Sequence, residues 1–186
     1  PRAGVVTAMK GIIFNLVEDV VRRDHGDDYW DDVVDSSGLA ASYTSKGTYP
    51  DHEVEVLATV VAERDGGSAH DVIRHVGHAG MASLAMRYPA FFEPHAGLRP
   101  FLLALNTTIH PEVRRLHPGA VIPDFEQRFP EPHVIELGYL SERGRCDLAE
   151  GLVLGAAEHY GERVVVSQPT CVRRGDERCV IRVELP

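Results

Sequence analysis

The sequence lacks features that would assign it to several common classes of protein. No apolar run approaches the roughly 20 residues that a membrane-spanning helix needs, so the sequence predicts no membrane span. Basic charge is scarce, because 19 Lys and Arg stand against 28 Asp and Glu, and only Lys10 and Lys46 are lysines. The formal charge of −9 argues against a nucleic-acid partner, since that function needs a basic face.

Cysteine is also scarce, with three residues in a chain of 186, and the first residues show no secretory signal pattern. An odd number of cysteines without an export signal favours reduced thiols and a cytoplasmic protein. Apolar residues make up 44% of the chain, which is enough to build the core of one domain. We predict an N-terminal extension over residues 1–8 and a single domain over residues 9–186.

The apolar spacing changes along the chain. Helical spacing dominates the first half, whereas residues 134–141 alternate like a strand and residues 163–167 and 179–185 are rich in β-branched side chains. The turn signal at Gly175 separates the last two runs. The pattern predicts an α+β fold, with a helical subdomain over about 9–65 and a sheet-containing subdomain over about 66–186.

Among ten histidines, His110 has the surroundings most suited to a ligand. Pro111 fits the first turn of a helix, and the neighbouring apolar residues are Leu103, Ile109, Val113 and Leu116. A neutral imidazole at a helix junction on an apolar face is a suitable axial ligand for an iron porphyrin. The ordinary alternative is a buried histidine bonded to a carbonyl, and this pattern alone leaves both open.

Tyr139, Ser141 and Arg143 form a second candidate site. At the two-residue period of a strand their side chains share one face, and all three can donate hydrogen bonds. Two hydroxyls and a guanidinium suit a carboxylate or a phosphate, which arginine can bind through two parallel hydrogen bonds. The alternative for the isolated motif is a solvated strand face.

Taken in order, these segments resemble the heme–nitric oxide/oxygen binding (H-NOX) family, in its bacterial stand-alone form. The resemblance runs from Met9 to about Leu185. Its motifs are Met9-Lys-Gly-Ile-Ile-Phe, Tyr88-Pro-Ala-Phe-Phe, His110-Pro-Glu-Val-Arg-Arg-Leu, Leu116-His-Pro-Gly-Ala-Val-Ile-Pro, Tyr139-x-Ser141-x-Arg143 and the segment from Ala149 to Tyr160.

The resemblance implies an H-NOX fold that holds heme b between the helical part and the part that contains the sheet. It implies that His110 ligates the iron and that Tyr139, Ser141 and Arg143 bind the heme propionates. It also implies that Pro123 packs against the porphyrin and distorts it. The further pocket residues implied by the match are Ile13, Val17, Leu84, Leu148 and Leu152.

The resemblance also predicts which gas binds. Oxygen-binding members carry a tyrosine at the position of Leu148, and a hydrogen bond to bound oxygen is worth about 1.5–3 kcal/mol. Without that donor, the implied function is a sensor that binds NO and CO and excludes O2. NO would weaken the His110–iron bond and signal to a separate protein, which in bacterial relatives is commonly a histidine kinase or a cyclic-di-GMP enzyme.

The three cysteines, Cys146, Cys171 and Cys179, resemble the thiolates of a zinc site found in some members of the family. Those members have a histidine as fourth ligand where this chain has Gln168. Three possibilities remain open: zinc bound with water or His159 as the fourth ligand, redox-active thiols or a disulfide, and packed reduced thiols. His117, seven residues after His110, is expected nearer the surface.

Other functions fit the sequence less well. The chain has no nucleophile elbow, phosphate-binding glycine loop or paired His-Glu metalloprotease motif, so we predict that it is not an enzyme. The alternative function is a heme-free module of the same fold that binds a small molecule or acts as a zinc or thiol redox switch.

Overall fold

A computed structural model describes residues 8–140 and 144–186, with only the backbone of Leu140. Within these ranges the helices are α1 (Gly11–His25), α2 (Asp27–Ser37), α3 (His52–Asp65), α4 (Ala69–Arg87), α5 (Leu98–Leu103), α6 (His110–Leu116) and α7 (Cys146–His159). The strands are β1 (Ala8–Lys10), β2 (Thr48–Pro50), β3 (Asp124–Arg128), β4 (Val134–Leu140), β5 (Val165–Thr170) and β6 (Cys179–Glu184). This architecture confirms the predicted α+β class.

The second half of the chain forms a four-stranded antiparallel sheet in the order β3-β4-β6-β5. Along β6, Cys179, Ile181 and Val183 are buried while the residues between them are partly exposed, as a strand with one face on the core requires. A separate pair, β1 and β2, aligns Ala8 with Pro50 beside the helical half. Ala8, which was predicted to lie in the extension, therefore belongs to β1.

Two helix ends follow from local chemistry. Gly26 ends α1 with a φ of 96°, and its N–H donates to the carbonyl of Arg22. The Ser68 hydroxyl caps α4 by accepting from the N–H of Asp71 at 3.2 Å. Helix α4 continues through Gly80, which packs directly on Leu16.

Two apolar cores share α4. The first joins α1, α2 and α3, and includes Ile73 and Val76 from the first half of α4. The second joins the sheet, α5 and α7, and includes Met81 and Ala85 from the second half. In the described ranges no helix is both long and apolar enough to cross a membrane.

The helices α4 and α7 cross at very short range because both carry glycines. A Cβ atom added to Gly151 would lie 2.0 Å from the carbonyl oxygen of Arg74. That atom belongs to the backbone of α4, so the helices would have to separate to admit a methyl group. Their separation sets the position of α7 against the second core.

Replacement of Gly151 with alanine is therefore expected to lower the free energy of unfolding by about 3 kcal/mol, despite the higher helix propensity of alanine. The matched control is Gly67→Ala, because a Cβ there meets no atom within 4 Å. Urea unfolding followed by circular dichroism measures both. Equal stability of the two variants would contradict the close crossing.

Candidate functional site

A largely apolar cavity of about 280 Å³ lies between the two cores. Most residues that were expected in the heme pocket line it: Ile13, Leu84, His110, Pro123, Tyr139, Leu148 and Leu152. Ligand pockets in proteins are commonly apolar clefts in which a few polar groups orient the ligand. This cavity has that composition, because its lining is mostly apolar and includes a few polar side chains.

His110 is the first residue of α6 and follows a π-helical turn over Leu105–Ile109. Such turns are rare and occur frequently at functional sites. The imidazole is 9% exposed, and its Nδ1 has no hydrogen-bond partner within the described structure. Burial, with a smaller effect of the Arg114 guanidinium, lowers the pKa of His110 to about 4. The ring is therefore neutral at pH 7, as a metal ligand must be.

Two sets of contacts hold His110 against the sheet. The amide of Asn106, in the π-helical turn, donates to the Phe125 carbonyl at 2.6 Å and accepts from the Phe125 N–H at 3.2 Å. On the other side of His110, Arg114 of α6 pairs with Asp124 of β3 at 2.9 Å. His110 therefore lies between two contacts with the edge strand β3, one in the turn before α6 and one within α6.

The cavity is also bordered by residues that could bind an anion. Tyr139 is buried on β4, lines the cavity and lies between Phe125 of β3 and Cys179 of β6. Ser141 and Arg143 lie outside the described residues, so their convergence with Tyr139 stays a prediction.

Arg145 also lines the cavity and was not among the predicted site residues. It is 7% exposed, pairs with Glu55 of α3, and donates to the Asp51 carbonyl at 3.0 Å. A buried cation thus joins the start of α7 to the helical half beside the cavity. The sequence signal that could have identified Arg145 is its position shortly after the predicted propionate motif.

Three helices supply an entirely apolar wall. The cavity-lining residues from α1, α4 and α7 are Ile12, Ile13, Met81, Leu84, Leu148, Ala149, Leu152 and Val153. No side chain of this wall can donate a conventional hydrogen bond. Val17, which was expected here, is absent from the lining. It lies one helical turn beyond Ile13 and is 1% exposed within the helical core, so its contribution to the pocket is indirect.

A second histidine lines the cavity, and the expectation that His117 lies near the surface is wrong. It is 6% exposed, and one ring nitrogen, Nε2, lies 3.0 Å from the Tyr88 hydroxyl. The turn at Gly119, with a φ of 78°, returns the chain toward the cavity after α6. Burial and the nearby charges of Lys10 and Lys46 lower the pKa of His117. The His-Pro-Gly sequence signalled the turn but not the Tyr88 partner.

The cysteines that were predicted to lie together form a buried cluster. The sulfur of Cys171 lies 3.7 Å from that of Cys146 and 3.7 Å from that of Cys179. All three thiols are free, and their sulfurs lie within 4.8 Å of one another. Burial, followed by the Cys179 thiol, raises the pKa of Cys146. Burial opposes ionisation of Cys171, but the Arg173 N–H, the two neighbouring thiols and the Arg173 guanidinium together lower its pKa.

Gln168 does not supply a metal ligand to this cluster. Its amide nitrogen donates to Glu150 at 2.5 Å and to the carbonyl of Cys146 at 3.4 Å. A structural zinc site almost always has four protein ligands in tetrahedral arrangement. Three sulfurs are present, but within residues 8–140 and 144–186 no histidine or carboxylate joins them. The described residues therefore do not form a closed zinc site.

Comparison with known proteins gives a consistent assignment. No curated protein matches this chain. An H-NOX protein from Shewanella oneidensis, solved in the Fe(II)NO ligation state, is 29% identical, with a TM-score of 0.89 over 96% of this chain and 99% of that chain. The H-NOX domain from the same organism in the Fe(II)CO ligation state is also 29% identical, with a TM-score of 0.86 over 96% of this chain and 99% of that chain.

An unliganded Fe(II) H-NOX protein from K. algicida shares the fold, with 23% identity and a TM-score of 0.84 over 96% of this chain and 97% of that chain. The sequence model of the family described as haem-NO-binding matches residues 10–168. That match spans α1 to β5 and so includes every helix that lines the cavity. The chain belongs to the haem-NO-binding, or H-NOX, family of heme-based gas sensor domains.

Proposed function

We propose that this protein is a gas sensor that binds heme b with His110 as the axial ligand of the iron. The observation that carries the proposal is a neutral, buried imidazole on the wall of a largely apolar cavity. Heme bound there would be held by His110 and would supply the iron at which a diatomic gas binds. The ring also interacts with the backbone of Pro123, another residue of the cavity wall, and this contact would help to orient it.

The cavity walls have complementary roles in this proposal. Pro123 would pack against the porphyrin and distort it. Tyr139 would bind a propionate together with Ser141 and Arg143. The position of Tyr139 on the cavity wall supports this role, because its strand fixes its backbone on both sides. Burial of an apolar macrocycle against such walls is favourable by about 25 cal/mol per Å² of apolar surface.

We propose further that the protein binds NO and CO and excludes O2. Bound oxygen takes on negative charge and is stabilised by a hydrogen-bond donor, whereas NO on ferrous iron needs none. The wall built from α1, α4 and α7 supplies no donor side chain. Tyr88 also lines the cavity and carries a hydroxyl that could donate to bound oxygen if the side chain rotated. In the structure this hydroxyl lies 3.0 Å from Nε2 of His117 instead.

In the proposed signal His110 would hold the heme iron, and loss of that bond on NO binding would release the histidine. His110 would then be free to move with α6, against the restraint of the Arg114–Asp124 pair and the Asn106–Phe125 hydrogen bonds. A shift of α6 relative to β3 would change the surface presented to a separate partner, a histidine kinase or a cyclic-di-GMP enzyme. The role is regulatory rather than enzymatic, because the apolar wall offers no acid or base to a bound gas.

Titration of hemin into heme-free protein tests the proposal against a heme-free module of the same fold. We expect saturable binding of about one heme per chain, followed by its absorption band. Leu152→Trp, which fills the cavity wall, should lower the affinity, whereas Val165→Trp on the exposed face of β5 should not. Unsaturable binding, or equal effects of the two tryptophans, would favour the heme-free module.

A further inference from the structure

The three-cysteine cluster (Cys146, Cys171 and Cys179) is a second candidate ligand site, separate from the heme cavity. None of these residues lines that cavity. Cys146 lies in the first turn of α7, whereas Cys171 directly follows β5 and Cys179 begins β6. The fold therefore brings three thiols together at a place that the proposed gas chemistry does not use.

The sulfur positions already suit one metal ion. Three sulfurs at about 2.3 Å from a common ion are about 3.8–4.0 Å apart, whether the arrangement is tetrahedral or trigonal. The two measured separations of 3.7 Å are close to this distance. An ion could thus bind with small side-chain adjustments.

The loop between the second and third cysteines is ordered by its own contacts. The Asp176 carboxylate accepts from the N–H of Cys171 at 2.7 Å, and Gly175 takes the left-handed φ of 92° that closes the turn. The N–H of Val172 donates to the Cys179 sulfur at 3.4 Å. Such a donor stabilises negative charge on sulfur, which a metal-bound thiolate carries.

Among residues 8–140 and 144–186, no fourth ligand accompanies the three thiols. Gln168 occupies the nearest equivalent place, but its nitrogen is held by Glu150, and an amide oxygen prefers harder ions. Water is also a poor candidate, because the cysteines are 0%, 2% and 1% exposed. Zinc in a structural site needs four ligands, so the described residues favour an ion that is satisfied by three.

We propose that the three-cysteine cluster is a three-coordinate thiolate site for Cu(I). Soft thiolate ligands suit Cu(I) as well as zinc. Cu(I), unlike zinc in a structural site, accepts three sulfurs without a further ligand. Binding would form three Cu–S bonds and release the thiol protons to solvent, with no transfer of electrons. The Arg173 guanidinium interacts electrostatically with Cys146 and Cys171, although it also pairs with the buried Asp147 at 2.6 Å, so it would offset a small part of the resulting negative charge.

Metal competition under anaerobic, reducing conditions tests this site on the purified protein as isolated. Samples are dialysed to equilibrium against Cu(I) buffered by a bathocuproine chelator, and separately against buffered Zn(II), and bound metal is measured by atomic spectrometry. We expect about one Cu(I) per chain, held at free Cu(I) concentrations far below the free Zn(II) needed for equal occupancy. Cys171→Ser should lower the Cu(I) affinity by about 100-fold or more.

Gln168→His supplies the missing fourth ligand without removing a thiol. It should raise the Zn(II) affinity by about tenfold or more and change Cu(I) affinity little, because Glu150 could orient the new imidazole. Gln168→Ala is the matched control and should change neither affinity. Zinc binding by the unmodified chain that is as tight as Cu(I) binding would overturn the proposal. So would Cu(I) binding that survives loss of Cys171 in a variant with native circular dichroism.

Discussion

Replacement of His110 with glycine is expected to lower heme affinity by at least about 100-fold and to restore it when free imidazole is added. The variant removes the iron ligand and leaves a space of the ligand's own size at the start of α6. A coordinate bond to iron contributes several kcal/mol, and each 1.4 kcal/mol is a tenfold change in affinity. Hemin titration of the variant with and without excess free imidazole measures the effect.

The matched control is His117→Gln, because the chain has two buried histidines on the wall of one cavity. His117 is paired with the Tyr88 hydroxyl, and glutamine can keep that hydrogen bond. We expect this variant to retain heme and its spectrum. Loss of heme from His117→Gln with retention in His110→Gly would transfer the ligand role to His117.

The second large effect concerns oxygen. Leu148→Tyr places a phenol on a wall that now has only apolar side chains, and a hydrogen bond to the charged ligand is worth about 1.5–3 kcal/mol. Oxygen affinity should therefore rise by about one to two orders of magnitude. NO affinity should change much less, because ferrous nitrosyl is less polar. Stopped-flow measurement of oxygen binding and release to the reduced, heme-loaded protein gives the change.

A comparison with Leu148→Phe separates the effect of the hydroxyl from the effect of the ring. This variant adds the same aromatic volume to the wall without a donor, so oxygen affinity should stay near that of the unmodified protein. Equal gains in both variants would show that ring size, rather than hydrogen bonding, controls oxygen binding. No gain in either would place the bound gas out of reach of position 148.

The features that could be predicted from the sequence are those that depend on local chemistry. The apolar periods of α1 and β4, the Gly26 helix end and the Ser68 cap all follow from residues within a few positions of one another. His110 was selected for the same reason, since its apolar neighbours and Pro111 are adjacent in the chain.

The features that were missed depend on contacts between distant segments. The segment Asp124–Arg128 forms β3 because it pairs with β4. Its residues show no apolar alternation from which a strand could be predicted. The burial of His117 requires Tyr88, 29 residues earlier. Val17 follows the same helical face as Ile13, yet the cavity ends before it, because α1 packs there against α2 and α4.

The cysteine cluster shows the same division. The family resemblance predicted that the three thiols lie together. The structure adds that Gln168, which stands where some relatives have a histidine ligand, is held by a hydrogen bond to Glu150. Neither that hydrogen bond nor the depth of the thiols is encoded in spacing alone. Coordination number is therefore a property of the folded site.

The most direct test of the gas-sensor account is the absorption spectrum of the heme-loaded protein, reduced without oxygen and then exposed in turn to air, CO and NO. The account predicts an intense heme band that is unmoved by air, shifts with CO, and shifts with NO to the form in which the bond to His110 is broken. A stable oxygen complex formed in air would contradict the selectivity that we assign to the apolar wall.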